Sequence, residues 1–577
     1  MARVGAEVLN CSNMSFVHRP VTNAPATSPW DSEVRLLAWL ATCVSVFSFL
    51  VYFQRGDVLL YGDATSHINI ARRVFDSKTP GLLQLGTVWL PLPHLLMIPF
   101  LISHQMWQRG VGGSIPSLVA YVFGVVGMFR LVRGSFAGGS KPEAAARIAA
   151  WTAALIFAAN PNLIYMQATA MSESLYLALF LWAVAYFNES YREGGRALTK
   201  CGLCLAAAGL TRYDGWFLAA VMAVGLAVFA ILERGNGEEA NPGIQRQPGT
   251  VLKFFLIAAA APAFWIAYNG LVYRNPLEFE NGSYSAKAIE RKTQNAGNPG
   301  HPGKGNLLVA GLYFVKAGEV TMAENPWLQR LWVVVGFAGL AAIAGNLRSR
   351  QGRTNAAPGT WLPLLLLLVP APFYALSVAY AGVPIFVPAS WPYSHYNDRY
   401  GLQLLPAFAM ALAILIYFAS RSERLRPKPR LVCVLGALAL VVASYASVWH
   451  AGPICLNEAK INMRTRNQHE AQIATWLRKL PPDSTLLMYL GDHVGAVQQA
   501  GIPLKQIINE GNHRVWKQPV DPDGLWEQAL ANPAQYADFV VAFEGDPVWQ
   551  AVHERHLSEL VEIHTTGQAP AIIYRAR

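Results

Sequence analysis

The segment Tyr61-Gly62-Asp63-Ala64-Thr65-Ser66-His67 places one acid directly after the first long apolar run of the chain. Asp63 and His67 are four residues apart, so a helix that starts at Ala64 would bring both side chains near one face. A carboxylate held at a membrane surface could act as a general base on a lipid head group. Asp is also a preferred capping residue, and capping explains Asp63 as well as catalysis does.

Other ionisable residues stand where apolar runs meet polar sequence. Glu173 heads an apolar run, where an acid can take part in catalysis or simply complement the helix dipole. Arg212 and Asp214 lie between two apolar runs, either as functional groups or as a mutually neutralising pair. Arg399 could bind an anion or anchor a helix at the membrane interface.

Long apolar runs separate these polar groups. The 577 residues are 53% hydrophobic and only 14% charged, and the runs approach the roughly 20 residues that cross about 30 Å of hydrocarbon. The chain is therefore predicted to be an α-helical polytopic membrane protein with about eleven transmembrane helices. The predicted spans are 36–53, 115–129, 147–162, 174–188, 201–211, 215–232, 254–273, 329–347, 361–381, 401–419 and 431–449.

Basic residues mark alternate loops between the spans. By the positive-inside rule, these loops lie in the cytoplasm together with the N-terminal segment 1–35. The formal net charge of +11 then reflects topology and attraction to anionic membrane lipid, and it requires no nucleic-acid partner. The residues are Arg130, Arg133, Lys141, Arg147, Arg192, Arg196, Lys200, Arg234, Arg246, Lys253, Arg348, Arg350, Arg353, Arg421, Arg424, Arg426, Lys428 and Arg430.

The candidate functional residues then lie on the opposite, extracytoplasmic side. Residues 88–104, in the first outer loop, are apolar but contain three prolines and two histidines. They are predicted to form a juxtamembrane or re-entrant helix, because a span there would place the basic loops outside. The outer loops are 54–114, 161–173, 274–328 and 382–400.

Residues 451–577 have the composition of a small soluble domain. Three apolar runs, at 485–490, 539–543 and 571–574, alternate with helical patterns at 467–480, 493–500, 523–531 and 547–556. This alternation predicts an extracytoplasmic α/β domain after the membrane domain 36–450. The turn Gly491–Gly495 could cradle a phosphate or be a plain strand-to-helix turn.

The order of the short motifs resembles the GT-C superfamily of glycosyltransferases over roughly residues 36–450. Within it, the chain is most similar to the branch of aminoarabinose transferases, protein O-mannosyltransferases and related bacterial enzymes. The motifs are Gly62-Asp63, Asn160-Pro161, Met171-Ser172-Glu173, Thr211-Arg212-Tyr213-Asp214-Gly215-Trp216, Asp398-Arg399-Tyr400 and Leu404-Leu405-Pro406.

The resemblance implies an enzyme of the bacterial inner or plasma membrane. Its donor would be a sugar on a polyprenyl phosphate, transferred with inversion to an extracytoplasmic lipid, protein or glycan. The family's catalytic acid of the first outer loop falls on Asp63, and the acid of the next outer loop falls on Glu173.

Metal dependence stays open in this reading. Some relatives pair two acids in the first loop, whereas Ala64 follows Asp63, and the Asp-x-Asp metal motif of the oligosaccharyltransferase branch is replaced by Glu173 alone. No cofactor is certain. The residues that could assemble a divalent metal site are His67, His94, Glu173, His301 and His395.

A sugar phosphate is a good leaving group, so transfer needs a base for the acceptor and cations for the departing charge. The cationic candidates, of which the last two are favoured, are Arg72, Arg73, Arg212, Lys287 and Arg399. The other predicted substrate-binding residues are His67, Asp214, Tyr284, His395, Asp398 and Tyr400.

Two other classes of protein fit part of this pattern. A secondary transporter or lipid flippase is also polytopic, but it places ionisable groups near the bilayer midplane, whereas the only Asp, Glu, Lys or Arg residues in the eleven predicted spans are Arg147 and Arg330, at the first and second positions of their spans. A non-catalytic membrane anchor for the C-terminal domain needs only one span and leaves the outer acids without a role.

Overall fold

The computed structural model describes residues 31–136, 144–234, 248–295, 297, 299–348, 362–421, 427–491, 493–512 and 523–577, and it is mostly helical. The predictions that lie outside the described residues are those for most of segment 1–35 and for Lys141, Arg246, Arg350, Arg353, Arg424 and Arg426.

Nineteen of the described helices lie before residue 452. The first ten are α1 (Ser32–Arg55), α2 (Gly62–Arg73), α3 (Leu92–Leu101), α4 (His104–Gln108), α5 (Val111–Ser135), α6 (Ala144–Ala159), α7 (Pro161–Met166), α8 (Glu173–Glu193), α9 (Gly195–Gly209) and α10 (Asp214–Arg234). The next nine are α11 (Pro248–Val272), α12 (Glu278–Asn281), α13 (Ala286–Asn295), α14 (Leu307–Met322), α15 (Pro326–Arg348), α16 (Leu362–Leu367), α17 (Pro370–Tyr380), α18 (Leu405–Arg421) and α19 (Pro427–Ala451).

Each predicted span falls on one or two of these helices. Seven helical stretches of the described chain are long and apolar enough to cross a membrane, which supports a multi-pass protein but not the number eleven. The number is smaller than eleven because some predicted spans correspond to shorter helices such as α6, whose 16 residues extend about 24 Å at 1.5 Å per residue. The seven stretches are Ser32–Arg55, Val111–Ser135, Gly249–Val272, Pro326–Asn346, Leu362–Tyr380, Asp398–Arg421 and Leu431–Leu477.

Helix α1 illustrates how local sequence sets the ends of a span. The Asp31 carboxylate accepts a hydrogen bond of 3.0 Å from the Val34 N–H, and this caps the first turn. The helix ends at Gly56, which has a φ of 75° that glycine adopts without a Cβ clash. The next helix, α2, starts six residues later and carries Asp63 in its first turn.

Helix α3 corresponds to the predicted juxtamembrane segment 88–104. Its ten residues extend only about 15 Å, half of a bilayer's hydrocarbon core. The expectation that this segment is not a full span is therefore consistent with the length of the helix.

Helix α14 was not predicted, since residues 274–328 read as an outer loop. The helix packs against a 3-10 helix at Asp398–Leu404, and the contact depends on Gly401. A Cβ at Gly401 would lie 2.1 Å from the Ala317 carbonyl oxygen, so no larger residue fits without displacing the backbone. This packing fixes the segment that carries Arg399.

The C-terminal residues form a five-stranded sheet flanked by helices. The strands are β1 (Leu486–Met488), β2 (Ile507–Ile508), β3 (Phe539–Phe543), β4 (Ser558–Ile563) and β5 (Ala571–Arg575), in the order β2-β1-β3-β5-β4. Strand β1 runs parallel to β2 and β3, whereas β5 is antiparallel to β3 and β4. The three apolar runs predicted β1, β3 and β5; β2 has only two residues, and β4 is a largely exposed edge strand without a continuous apolar run.

The helices of this region are α20 (Ile454–Leu477), α21 (Val494–Ala500), α22 (Leu525–Ala531), α23 (Pro533–Tyr536) and α24 (Pro547–Val552). Helix α20 begins thirteen residues before the predicted helix at 467, just after the last membrane helix. It lies against the start of α2, where the Met463 sulfur would be 3.4 Å from a Cβ at Gly62. The sheet region is thereby continuous with the helical bundle.

Polar contacts attach the sheet region to the first outer loop. The Asn69 amide donates to the Gln498 side chain at 2.7 Å, and both residues are buried. Further along, the Lys505 N–H donates to Asp76 at 3.0 Å. The C-terminal region therefore braces α2, the helix that carries Asp63.

Candidate active site

Four acidic side chains lie in the first or second turn of four different helices. Asp63 lies in the first turn of α2, Glu173 and Asp214 are the first residues of α8 and α10, and Glu458 lies in the second turn of α20. Carboxylates are stabilised at helix N-termini by the helix dipole. The tertiary structure brings these four helix starts together.

Arg399 is the residue on which three of the acids converge. Its Nη2 donates to Asp63 Oδ2 at 2.6 Å, its Nε to Glu173 Oε1 at 3.2 Å, and its Nη1 to Glu458 Oε1 at 2.9 Å. The guanidinium is buried, whereas a lysine ammonium could not present donors in three fixed directions. Arg399 thus fixes the relative positions of three carboxylates.

Arg212 forms a second centre that shares Glu173 with Arg399. Its Nη1 lies 3.2 Å from Glu173 Oε1, and its Nε lies 3.3 Å from Asp214. The Tyr374 hydroxyl closes this group by donating to Asp214 at 2.7 Å. Glu173 Oε1 therefore bridges the two arginines.

Tyr400 lies between the two guanidinium groups. Its ring centroid is 5.0 Å from the Arg212 Cζ and 5.2 Å from the Arg399 Cζ, within the range of cation–π contacts. The ring separates two like charges and keeps both in place. These contacts form one group, which we call the acidic cluster. Its members are Asp63, Glu173, Arg212, Asp214, Tyr374, Arg399, Tyr400 and Glu458.

Solvent access distinguishes Asp63 from the other acids of the acidic cluster. The Asp63 side chain is 40% exposed, whereas those of Glu173 and Glu458 are each 1% exposed. A reacting group that must meet substrate needs such access. Asp63 is therefore the acid of the acidic cluster that is open to solvent.

Glu173 has one unsatisfied oxygen. Oε2 of Glu173 is buried and has no hydrogen-bond partner among the described residues, although Oε1 is bound by both arginines. Buried carboxylate oxygens normally accept hydrogen bonds, and leaving one unpaired is costly. Glu173 Oε2 therefore has an unused acceptor position.

His395 and Asp398 form a pair beside the acidic cluster. His395 Nδ1 lies 2.8 Å from Asp398 Oδ2, and this hydrogen bond raises the pKa of His395 above its ordinary value. The His395 carbonyl also accepts a hydrogen bond from Asn462 of α20. The pair links the segment before α18 to the C-terminal region.

His67 lies on the same helix as Asp63 but points into protein. Its Nδ1 lies 2.8 Å from His94 Nε2, and its ring centroid lies 4.6 Å from that of Trp89. Burial lowers the pKa of His67 to about 4, with Asp63 acting in the opposite direction. His67 is therefore neutral near pH 7.

Four predicted substrate-binding residues make no described contact with the acidic cluster. Arg72 is bound to Asp76 at 2.7 Å and stacks on Trp107, so it holds α2 against its neighbours. Arg73 is half-buried at the last position of α2. The two residues of loop 274–328 are Tyr284, which is exposed, and Lys287, which is paired with Glu280.

The residues considered for a divalent metal do not all meet at one point. His67 and His94 pair with each other, His301 Nε2 lies 2.8 Å from the Val378 carbonyl oxygen, and His395 binds Asp398. Among the described residues, no group of three or more His, Cys, Asp or Glu side chains has an arrangement that could hold a metal ion. The metal site that the sequence left open is not assembled by that set.

The Gly491–Gly495 segment connects β1 to α21, with Asp492 outside the described residues. The buried Glu470 carboxylate accepts a hydrogen bond from the Gly495 N–H, and a Cβ at Gly495 would lie 2.0 Å from that carboxylate. An acid thus occupies the position that a phosphate would need. The geometry favours the plain strand-to-helix turn.

Two members of the acidic cluster were missed by sequence reasoning. Glu458 lies in what read as the beginning of the C-terminal domain, and Tyr374 lies within an apolar run. The available signals were an acid one turn after the last span and a tyrosine in a span. Neither signal indicates which distant residue is the partner.

No protein-family model matches the chain, and no curated protein matches it in sequence. The structure of ArnT, an aminoarabinose transferase from Cupriavidus metallidurans, bound to undecaprenyl phosphate, matches with a TM-score of 0.53 at 12% identity, over 94% of this chain and 98% of that chain. The apo state of the same protein matches with a TM-score of 0.52 at 13% identity, over 95% of this chain and 99% of that chain. The oligosaccharyltransferase AglB from Archaeoglobus fulgidus matches with a TM-score of 0.45 at 13% identity, over 95% of this chain and 74% of that chain.

The ArnT matches extend over nearly the whole of both chains, including the C-terminal region. The chain therefore has the GT-C fold that its motifs predicted. At 12–13% identity the likeness concerns the fold.

Proposed function

We propose that the chain is an integral-membrane glycosyltransferase that moves a sugar from a polyprenyl-phosphate donor to an extracytoplasmic acceptor, with Asp63 as the general base. The observation that carries the proposal is the half-exposed Asp63 held by the buried Arg399 at 2.6 Å. The shared fold with ArnT, a protein whose structure holds undecaprenyl phosphate, supports the choice of donor.

The reaction is one displacement at the anomeric carbon of the sugar. The acceptor oxygen or nitrogen forms a bond to this carbon while the bond to the phosphate oxygen breaks, and the bonding electrons leave with the phosphate. The acceptor proton passes to the Asp63 carboxylate. Attack opposite the leaving group inverts the anomeric configuration.

Proton transfer to Asp63 changes the charge balance at Arg399. Before reaction, Arg399 and Arg212 face the carboxylates of Asp63, Glu173, Asp214 and Glu458, so neither arginine has uncompensated positive charge. When Asp63 takes the proton, it loses its negative charge as negative charge develops on the departing phosphate. With one negative charge fewer beside it, Arg399 then stabilises more strongly the negative charge that develops on the phosphate.

Glu173 and Glu458 have separate roles in this proposal. Glu173 Oε2, buried and unpaired, accepts a hydrogen bond from a hydroxyl or amine of the bound sugar. Glu458 acts as a positioning residue, because its two oxygens accept the Asn397 N–H at 2.8 Å, the Arg399 Nη1 at 2.9 Å and the Tyr61 hydroxyl at 3.1 Å. It fixes Arg399 without meeting substrate.

The proposed topology keeps the membrane domain at 36–450 and places residues 451–577 on the same side as Asp63. The N-terminus would be cytoplasmic and the acidic cluster extracytoplasmic. In that arrangement the C-terminal region braces α2 and supplies Glu458, so it contributes to the active site. A pure display anchor would have no use for such contacts.

Transfer from labelled polyprenyl-phosphate sugars tests the proposal. A panel of donors is incubated with the purified full-length protein and membrane extract, and incorporated label is measured for wild type, Asp63→Asn and Asp31→Asn. Asp31 is a matched control, because it is also a partly exposed acid paired with an arginine, Arg133, but caps α1. We expect Asp63→Asn to lose about 10²- to 10⁴-fold in rate.

The control variant should transfer sugar at the wild-type rate. If no donor in the panel labels any acceptor, or if Asp63→Asn retains full turnover while remaining folded, the proposed reaction or its base is wrong. Transport of an unmodified lipid across vesicles by the same preparation would favour the transporter class.

A further inference from the structure

A long apolar groove lies between α3, α5, α8 and α9, apart from the acidic cluster. Its volume is about 650 Å³, and its lining follows α5 from Ile115 to Arg130. The fifteen steps from Ile115 to Arg130 correspond to about 22 Å of helix. Val119 and Phe123, both in the lining, are 52% and 47% exposed, so the groove is open at the side.

The two ends of the groove differ in chemistry. At one end, the lining consists of Leu96, Ile115 and Leu175, which is two residues from Glu173. At the other end it contains the two cations, Arg130 and Lys200. An amphiphile with an anionic head would therefore lie with its head at the Lys200 end.

Lys200 is the cation available at that end. Arg130 is held by Glu189 at 2.6 Å, which offsets its charge. Lys200 is exposed, and its described contact is the Tyr186 ring, 5.3 Å away. Arg196, one turn earlier on α9, adds a second positive charge nearby.

Aromatic side chains flank the same end. The Arg130 Cζ lies 5.4 Å from the Trp182 ring and 5.5 Å from the Tyr186 ring. Trp and Tyr are enriched at the level of lipid head groups, where an apolar body meets a polar tip. This end of the groove thus has the features of a membrane interface.

We propose that the groove binds one acyl chain of an anionic phospholipid, with the lipid phosphate at Lys200. The lipid comes from the leaflet on the Lys200 side, opposite the acidic cluster. A polyprenyl phosphate entering from the acidic cluster is the less suitable occupant, because Leu96, Ile115 and Leu175 provide no cation for its phosphate. The proposal does not depend on the transferase activity.

Native mass spectrometry of the detergent-purified full-length protein provides the test. Dioleoylphosphatidylglycerol should bind more tightly than dioleoylphosphatidylcholine, which has the same chains and no net charge. Lys200→Gln should weaken phosphatidylglycerol binding about fivefold, the effect of one lysine near an anionic lipid. Lys253→Gln, at another exposed lysine outside the groove, should leave it unchanged.

A second pair of variants tests the location. Val119→Trp should obstruct the groove and weaken binding, whereas Val224→Trp, at an exposed valine of α10 outside the lining, should not. Equal binding of the two phospholipids, or undiminished binding by both Lys200→Gln and Val119→Trp, would overturn the proposal. It would also fail if undecaprenyl phosphate bound the groove in place of phosphatidylglycerol, with sensitivity to Val119→Trp but not to Lys200→Gln.

Discussion

Arg399 Nη2 donates a hydrogen bond of 2.6 Å to Asp63 Oδ2, although the two residues are 336 positions apart in the chain. Asp63 lies in the first turn of α2, after the first membrane helix, and Arg399 precedes α18 near the end of the bundle. The pair therefore closes the helical bundle around the acidic cluster and joins the proposed base to the one guanidinium that also binds Glu173 and Glu458.

Two substitutions of Arg399 distinguish the contribution of its positive charge from that of its hydrogen-bonding geometry. Arg399→Lys keeps the positive charge but loses the fixed fork, so we expect a folded protein whose transfer rate falls about 10²-fold through misplacement of Asp63. Arg399→Gln leaves the buried Glu458 without a cationic partner and Glu173 with Arg212 alone, and it should lower the free energy of unfolding by about 3–5 kcal/mol. Thermal unfolding and sugar transfer, measured in parallel, check both outcomes. A fully active Arg399→Lys would remove the need for the three-way contact.

Glu458→Gln tests whether the C-terminal region positions the active site. Gln keeps only one acceptor oxygen, so its amide nitrogen replaces either the oxygen that accepts from the Asn397 N–H and Arg399 Nη1 or the oxygen that accepts from the Tyr61 hydroxyl. Because Glu458 is buried away from substrate, we expect kcat to fall while KM changes little. Glu470→Gln, at another buried acid of α20, is the control. If KM alone rises, Glu458 contacts substrate and its role has been misassigned.

Glu173→Gln should affect the donor more than the acceptor. Gln has no negative charge and replaces one carboxylate oxygen by an NH2 group. The hydrogen bond from the sugar therefore weakens, and so does the bridge between the two arginines. We expect a loss of transition-state stabilisation of about 1.5–3 kcal/mol, typical of a hydrogen bond to a charged group. Steady-state kinetics with the donor varied at fixed acceptor measure it. An unchanged kcat/KM for the donor would take Glu173 out of the sugar site.

His395 gives stability a pH dependence of known sign. Its folded pKa is raised by the hydrogen bond to Asp398, so its contribution is complete below the unfolded value near 6.5 and is lost as pH rises through the folded value. Thermal unfolding of wild type, compared with His395→Gln, should differ most at pH 5–6 and converge at alkaline pH. His104→Gln, at an exposed histidine, should follow wild type. A difference that grows with rising pH would contradict the assignment.

Much of the membrane domain was predictable because its determinants are local. Apolar runs of adequate length form helices wherever they occur, and all eleven predicted spans coincide with helices. The number that cross the membrane was not fixed by the same reasoning, because seven stretches meet the length and hydropathy requirement. Helix α14 was missed because Lys316 and Glu319 interrupt its apolar pattern, and its packing on Gly401 is a tertiary contact.

The candidate site followed the same division. Asp63, Glu173, Arg212 and Arg399 were identifiable because each is an ionisable residue at the end of an apolar run, where burying a charge without function or partner is costly. The ion-pair partners of the cations favoured for the phosphate could not be predicted in this way. Lys287 is paired with Glu280, and Arg399 is shared by three acids, since pairing depends on which distant groups fold against each side chain.

The sequence by itself therefore determined the class of protein, the motif order of the GT-C fold and which acid we propose as the base. Tertiary structure alone decided that Arg399 joins Asp63 to Glu173 and Glu458, that Glu458 reaches the site from the C-terminal region, and that the residues considered for a metal do not all come together. The physical reason is the distance along the chain between the residues that determine each feature. Hydrophobic length and helix ends are set by neighbouring residues, whereas an ion pair between positions 63 and 399 exists only after the whole bundle has closed.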